Sequence, residues 1–211
     1  MIGKKIIALA ILLLTLGVSG AFAQGRDIEI TPFGGARFGG SIDVNSPNID
    51  FLRIKSSVNY GGDLDVGLFP HLQAEFMWNR QDTELSEHDI NTGFFTDIAP
   101  AKLDQYQFGL LYEFKERHAR LRPFIVGGLG FTNFHSNGVL PFDNRFGWNL
   151  GGGVKYFVTD HVGLRLESRW SPTRTTSSVG TVCDPFFGCF QTTIHNYAQQ
   201  GQVNGGIIFK F

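Results

Sequence analysis

The chain has 211 residues, a formal net charge of −1 and 18% charged residues, with 27 glycines and 21 phenylalanines against 8 prolines and 2 cysteines. Glycine averages about 7% of residues in globular chains, so its share here is nearly double. The absence of a Gly-X-Y period excludes collagen, and the aromatic content excludes a disordered chain. Near-zero net charge removes the broad basic field of a nucleic-acid binder, which leaves an ordered, glycine- and aromatic-rich β protein.

The first element in chain order is an address. Lys4 and Lys5 precede an apolar run over residues 6–16, and small residues close the segment at Ala21-Phe22-Ala23. This is the charged, apolar and A-x-A pattern of a secretory signal peptide. The apolar run is also shorter than the about 20 residues of a membrane helix. The reading is a signal peptide over 1–23, cleaved before Gln24, and one exported domain over 24–211. No cysteine lies beside the cut, so a lipid anchor is not expected.

Period-2 alternation then recurs along the exported part, the signature of strands with two unlike faces. A loose case opens it, through Ile30, Phe33 and Ala36. Val58, Tyr60, Leu64, Val66 and Leu68 alternate with Asn59, Asp63 and Asp65, and Leu72, Ala74, Phe76 and Trp78 with Gln73, Glu75, Met77 and Asn79. Tyr106, Phe108, Leu110, Tyr112 and Phe114 alternate with Gln105, Gln107, Gly109, Leu111 and Glu113. The stretch 120–134 is too rich in glycine for its faces to be assigned. Phe146, Trp148, Leu150, Val154 and Tyr156 follow opposite Asn149, Gly151, Gly153 and Lys155. Val162, Leu164, Leu166 and Trp170 face away from Gly163, Arg165, Glu167 and Arg169, and Val203, Ile207, Phe209 and Phe211 from Gln202, Asn204 and Lys210. That makes eight strands of a length that spans a bilayer, which takes about 9–11 residues per tilted strand.

The connections alternate strictly. Those over 40–56, 81–100 and 171–194 are long and that over 135–143 is of medium length, whereas those over 69–71, 115–119 and 159–161 are short. One end of the sheet therefore carries large loops and the other only turns, as in outer-membrane barrels. A soluble barrel would turn the apolar face inward. Three features turn it outward instead. Tyr60, Trp78, Tyr106, Trp148, Tyr156 and Trp170 sit near strand ends as interfacial girdles do, and the polar face is poor in lysine. Its charges also balance: Arg37, Lys155, Arg165, Arg169 and Lys210 against Asp63, Asp65, Glu75, Glu113 and Glu167. Arg or Lys on the lipid face near the midplane costs roughly 2–4 kcal/mol, so these charges belong in the lumen. An eight-stranded barrel is just wide enough for side chains to fill it, which predicts a salt-bridged plug and no general porin activity.

The last nine residues end on an aromatic, with Val203, Ile207, Phe209 and Phe211 at alternate positions. This resembles the terminal assembly signal of bacterial outer-membrane proteins. With the signal peptide, strand count and loop asymmetry, the chain resembles the OmpA/OmpX-type outer membrane protein beta-barrel domain family along its full exported length. The segment Arg122-Pro123-Phe124-Ile125-Val126-Gly127-Gly128-Leu129-Gly130-Phe131 is similar to a mid-barrel strand of that family. The resemblance implies an all-β fold, a transmembrane eight-stranded antiparallel up-and-down barrel in the cell outer membrane. Its partners would be outer-membrane lipid, lipopolysaccharide and, during insertion, the barrel-assembly machinery. A monomer without a cofactor or nucleic-acid partner is expected, and no wall-binding domain is expected beyond Phe211.

Cys183 and Cys189 flank Asp184-Pro185-Phe186-Phe187-Gly188. An exported, even pair so close in sequence reads as a disulfide, and metal ligation is disfavoured by the lack of adjacent histidines. The bridge would present Phe186, Phe187 and Phe190 to a surface partner or simply brace the loop. His135-Ser136-Asn137 faintly resembles the His-x-Ser-Asn motif of outer-membrane lipid A deacylases. The spacer is missing and no glutamate lies in the following strand, so the activating base and orienting carboxylate that a nucleophilic serine needs are not provided. His71, His88, His118, His135, His161 and His195 are scattered over connections and strand ends and form no single cluster. The expectation is a non-enzymatic barrel with a structural or surface-contact role and a filled polar lumen. A narrow conduit for small solutes and a lipid A-modifying enzyme are the alternatives.

Overall fold

The computed structural model describes residues 27–43, 49–89, 95–116, 118–135, 144–184 and 188–211, with side chains outside 41–52, 85, 87–99 and 175–196. Residues 1–26 lie outside the described part, so the expected signal peptide does too.

Among the described residues ten strands form: β1 (Ile28–Phe38), β2 (Ser41–Asp43), β3 (Ile49–Ile54), β4 (Ser57–Phe69), β5 (Leu72–Asp89), β6 (Phe95–Glu113), β7 (Leu121–His135), β8 (Asn144–Phe157), β9 (Val162–Asp184) and β10 (Gly188–Lys210). β1 pairs antiparallel with β4 on one side and β10 on the other, and β5 to β10 pair each with the next. With the β4–β5 pairing, eight strands close into an antiparallel, up-and-down barrel. At the closure, the Phe211 amide donates to the Ile28 carbonyl at 2.9 Å and the Ile28 amide to the Phe211 carbonyl at 3.3 Å. The ring of eight strands is thus closed, without a free edge between β1 and β10.

The two extra strands belong to the first long connection. Gly39 and Gly40 carry positive φ angles of 81° and 111°, which only glycine adopts without strain. They end β1 and redirect the chain into β2, which pairs with β3, and β3 in turn pairs with the upper part of β5. The connections over 81–100 and 171–194, expected as loops, are largely paired strand instead. β5 runs on to Asp89, and β9 and β10 extend as a hairpin to Asp184 and Gly188. Their sequence loses apolar alternation but keeps Thr, Ser and Val (Thr175, Thr176, Val179, Thr192, Thr193), residues that favour extended backbone whichever way they face. At the opposite end the turns are tight: the Val158 amide donates to the Val162 carbonyl at 3.0 Å, and the Ala119 amide to the Glu116 carbonyl at 2.9 Å.

Alternate side chains point outward and inward, as the period-2 pattern requires. The outward set is apolar and exposed, from Ile30 and Tyr60 through Phe108, Leu129 and Leu166 to Phe209. Cross-strand aromatic pairs run along it, including Phe76–Phe108 at 4.8 Å and Trp148–Trp170 at 4.9 Å between ring centroids. The inward set is polar and buried. The loose alternation of β1 resolves by parity: Ile30 and Ala36 face out, while Phe33 faces in with Glu29, Thr31 and Arg37. Phe33 fits because its neighbour is Gly61, where an added Cβ would lie 2.9 Å from the Phe33 ring. β7 also gains faces. Arg122, Phe124, Val126, Thr132 and Phe134 are buried inside, and Leu121, Ile125, Leu129 and Phe131 are exposed outside.

Candidate functional site

The inward side chains stack in layers along the barrel axis, and the deepest chemistry lies toward the short-turn end. Lys155 on β8 is fully buried and crosses the lumen. Its Nζ lies 2.6 Å from Glu29 Oε2, 2.9 Å from Asp65 Oδ2, 2.7 Å from Gln73 Oε1 and 3.3 Å from Glu113 Oε1. Arg165 donates to Asp65 at 2.9 Å, to Glu75 at 2.6 Å and to Glu167 at 2.9 Å. Arg169 grips Glu75 through two nitrogens at 2.7 and 2.8 Å and Glu167 through two more contacts at 2.7 and 2.9 Å. Arg122 closes the layer, 3.6 Å from both Glu29 and Glu113, with its guanidinium 3.9 Å above the Phe157 ring. Forked, charge-assisted bonds of this kind are the strong ones in a region without bulk water.

Small inner residues make the room. An added Cβ at Gly151 would stand 2.6 Å from Arg169 Cγ, so only glycine there leaves space for the guanidinium stem. One wall of the layer is apolar: Leu111, Phe124 and Val126 pack together, and the Arg165 guanidinium sits 4.8 Å from the Phe124 ring centroid.

Of the ten charges read as one lumen network, eight meet here: Asp63, Asp65, Glu75, Glu113, Lys155, Arg165, Glu167 and Arg169. The other two lie elsewhere. Lys210 sits at the short-turn mouth, 3.2 Å from Asp27, and Arg37 lies apart from every carboxylate of the cluster. Glu29 and Arg122 join the cluster unforeseen. The signal for Glu29 was present, since it shares the parity of Thr31 and Phe33. The cluster therefore holds six carboxylates and four cations, a formal excess of two negative charges.

Above this layer lies a belt of amides. Asn59 Nδ2 donates to Asn204 Oδ1 at 2.8 Å and to Asn79 Oδ1 at 3.2 Å; Asn79 Nδ2 donates to Gln202 Oε1 at 2.8 Å. Asn204 Nδ2 reaches down to Glu167 Oε1 at 3.2 Å and ties belt to cluster. Higher still, Ile54, Ala101, Leu103, Phe134 and Ala198 are buried inward-facing residues toward the long-hairpin end.

Asp63, Glu75 and Glu167 bring carboxylate oxygens within 4.8 Å of one another, the hard donor set of a divalent cation. Arg165 and Arg169 already occupy Glu75 at 2.6 and 2.7 Å, and an ion would have to displace them. His135 is exposed at the hairpin end, with Nδ1 4.0 Å from Asp104 Oδ2. That carboxylate is held by Arg80 through two 2.7 Å bonds, and Ser136 and Asn137 lie outside the described residues. Strand register sets Cys183 opposite Cys189. Their side chains and that of Phe190 lie outside the described set, as do Phe186 and Phe187 altogether. Val203, Ile207, Phe209 and Phe211 are all exposed on the outer face of the closing strand and its end.

Comparison with known families matches residues 8–182 to the outer membrane protein beta-barrel domain. The chain belongs to that family. The barrel domain returns no match among curated protein sequences. Among solved structures it is similar to the outer membrane protein OprG from Pseudomonas aeruginosa, with a TM-score of 0.60 and 12% identity, covering 89% of this chain and 96% of that one. The outer membrane protein AlkL, solved in lipid bilayers, superposes with a TM-score of 0.58 and 16% identity over 89% of this chain and 90% of the other. Neisserial surface protein A gives 0.56 and 12%, with 89% and 100% covered. Family and fold place the chain in the outer membrane, and the exposed apolar belt is the surface that meets lipid.

Proposed function

We propose that the barrel domain is a non-enzymatic, closed outer-membrane barrel. It is exported by a signal peptide cleaved before Gln24, stands in the bilayer as a monomer, and displays its long hairpins to the outside. The observation that supports this reading is the ion-pair layer. Lys155, Arg165 and Arg169 each cross to carboxylates on the far wall at 2.6–2.9 Å, and the inner residues beside them are buried. Moving a hydrated solute through that layer requires breaking several buried charge pairs at once, each costly to break singly. Surface contact falls to the β9–β10 hairpin, whose tip carries Cys183, Cys189 and the three phenylalanines. A disulfide there braces the hairpin and fixes the aromatic residues toward lipopolysaccharide or a surface partner. The non-enzymatic reading is supported by Asp104, whose carboxylate is engaged by Arg80 and so does not serve to orient His135 as a base.

The test is conductance of the purified mature protein in planar bilayers. A silent bilayer at moderate voltage is expected. Discrete openings, abolished by Arg165→Ala, would overturn the closed reading in favour of a gated path. Lipid A mass profiles that change on deletion of the protein would overturn the non-enzymatic one.

A further inference from the structure

Arg37 is, with Arg169, among the largest fully buried side chains, and it is the one cation of the lumen without a protein partner among the described residues. Its relative exposure is 0%, and none of its three guanidinium nitrogens has a hydrogen-bond partner. The carboxylates that could neutralise it are gathered in the layer below around Arg165, Arg169 and Lys155. A buried, unpaired guanidinium, which stays charged at any physiological pH, is costly to hold in a protein interior.

What surrounds Arg37 is a set of donors. Its Cα partners across the sheet are Ser57 on β4 and Gln202 on β10, and directly paired residues on one face bring their side chains together. The Gln202 carbonyl is taken by Asn79, while its amide nitrogen has only Met77 Sδ at 3.9 Å, a weak acceptor. The Ser57 hydroxyl accepts from Gln81 Nε2 at 3.0 Å, which turns its own proton toward another acceptor. A guanidinium, an amide N–H and a hydroxyl are thus carried by three directly paired positions of one inner wall.

We propose that Arg37, Gln202 and Ser57 form a binding site for a small monovalent anion of the halide class. A single uncompensated charge sets the valence. Gln81, which donates to Ser57, also accepts from Gln200 Nε2 at 3.3 Å, so these amides are already engaged with one another. The anion supplies Arg37 with the counter-charge that the carboxylates of the lower layer supply to Lys155, Arg165 and Arg169. The inference stands whether or not the lumen conducts.

The experiment uses the full mature protein in detergent micelles. Crystals grown in bromide give an anomalous peak beside the Arg37 guanidinium. In solution, the folded-to-unfolded ratio in chloride is compared with that in sulfate at equal ionic strength. At chloride tenfold above its Kd the ratio rises about elevenfold through mass action. Arg37→Lys keeps the dependence and Arg37→Met abolishes it. A wild type with no bromide peak and no chloride dependence overturns the proposal in favour of water bridging. An Arg37→Met protein as chloride-sensitive as the wild type overturns it in favour of a general salt effect. If the Met variant does not fold, the bromide map of the wild type decides.

Discussion

Removing a cation from the ion-pair layer and removing a carboxylate are not equivalent, and two near-isosteric variants measure the difference. Arg169→Met deletes four bonds of 2.7–2.9 Å and leaves Glu75 and Glu167 to share Arg165. Breaking a buried pair by removing one partner costs about 3–5 kcal/mol, because the remaining charge stays buried. The variant also raises the formal excess of negative charge, so the upper part of that range is expected. Asp63→Asn works the other way. Both Asp63 oxygens are buried without a hydrogen bond, and the nearest cation, Arg165 Nη1, is 3.5 Å away. Its neutralisation removes little attraction and relieves repulsion from Glu75 and Glu167, whose oxygens lie within 4.8 Å of its own. A change within about 1 kcal/mol is expected, the ordinary scale of a weak or absent hydrogen bond. The assay is equilibrium urea unfolding in micelles, read by the electrophoretic mobility difference between folded and heat-unfolded barrel. Equal destabilisation by the two variants would refute the reasoning, since it would mean that Asp63 is as firmly paired as Arg169.

Glycine substitutions separate the two faces. Gly151→Ala places a Cβ 2.6 Å from Arg169 Cγ and 2.7 Å from the Ser168 carbonyl, and overpacking of this kind costs about 1–3 kcal/mol by the same unfolding assay. Gly205→Ala meets nothing within 4 Å and is expected to be neutral or stabilising by about 0.4–1 kcal/mol. On the lipid face, Ile125→Arg at mid-strand is expected to cost about 2–4 kcal/mol in bilayers, and a smaller loss in micelles than in bilayers checks that lipid is the cause. Intact-mass measurement of protein recovered from outer membranes is expected to begin at Gln24 and to fall two hydrogens short of the reduced mass, with Cys183 and Cys189 unreactive to alkylation until reduced.

Where alternation is undiluted, parity read from sequence gives the faces of the folded strand. β6 and β9 each keep large apolar residues on one parity (Tyr106, Phe108, Leu110 and Tyr112; Val162, Leu164, Leu166 and Trp170) against a mostly polar opposite parity, and their faces follow. β1 defeats the pattern because Pro32, Gly34 and Gly35 remove the side chains that would mark it, and Phe33 occupies an inner position. Glu29, four residues earlier on the same parity, is thereby lost from the reckoning. β7 hides its inner set in the same way behind Gly127, Gly128 and Gly130, and Arg122 with it. The separation of Arg37 and Lys210 from the cluster has a different origin. Period-2 patterning states which face a residue takes and says nothing of its height in the barrel. Height depends on the stagger of eight tilted strands around the ring, a property of closure that no single strand encodes. The long hairpins were missed for a third reason: pairing through Thr and Ser leaves no apolar period to read.

The placement of charge along the chain bears on how the barrel closes. Five of the six cluster carboxylates lie on the first half of the ring: Glu29 on β1, Asp63 and Asp65 on β4, Glu75 on β5 and Glu113 on β6. All four cations lie on the second: Arg122 on β7, Lys155 on β8, Arg165 and Arg169 on β9. Neighbouring strands therefore satisfy few of these charges, and Lys155 finds Glu29 and Asp65 only across the lumen. A sheet of either half alone in lipid would carry unpaired charge of one sign against hydrocarbon, at several kcal/mol per residue. The charges become tolerable at the step that brings β1 to β10 and the two halves face to face. The same residues that fill the lumen thus disfavour every partly closed sheet, and the stability they contribute is realised only in the complete ring.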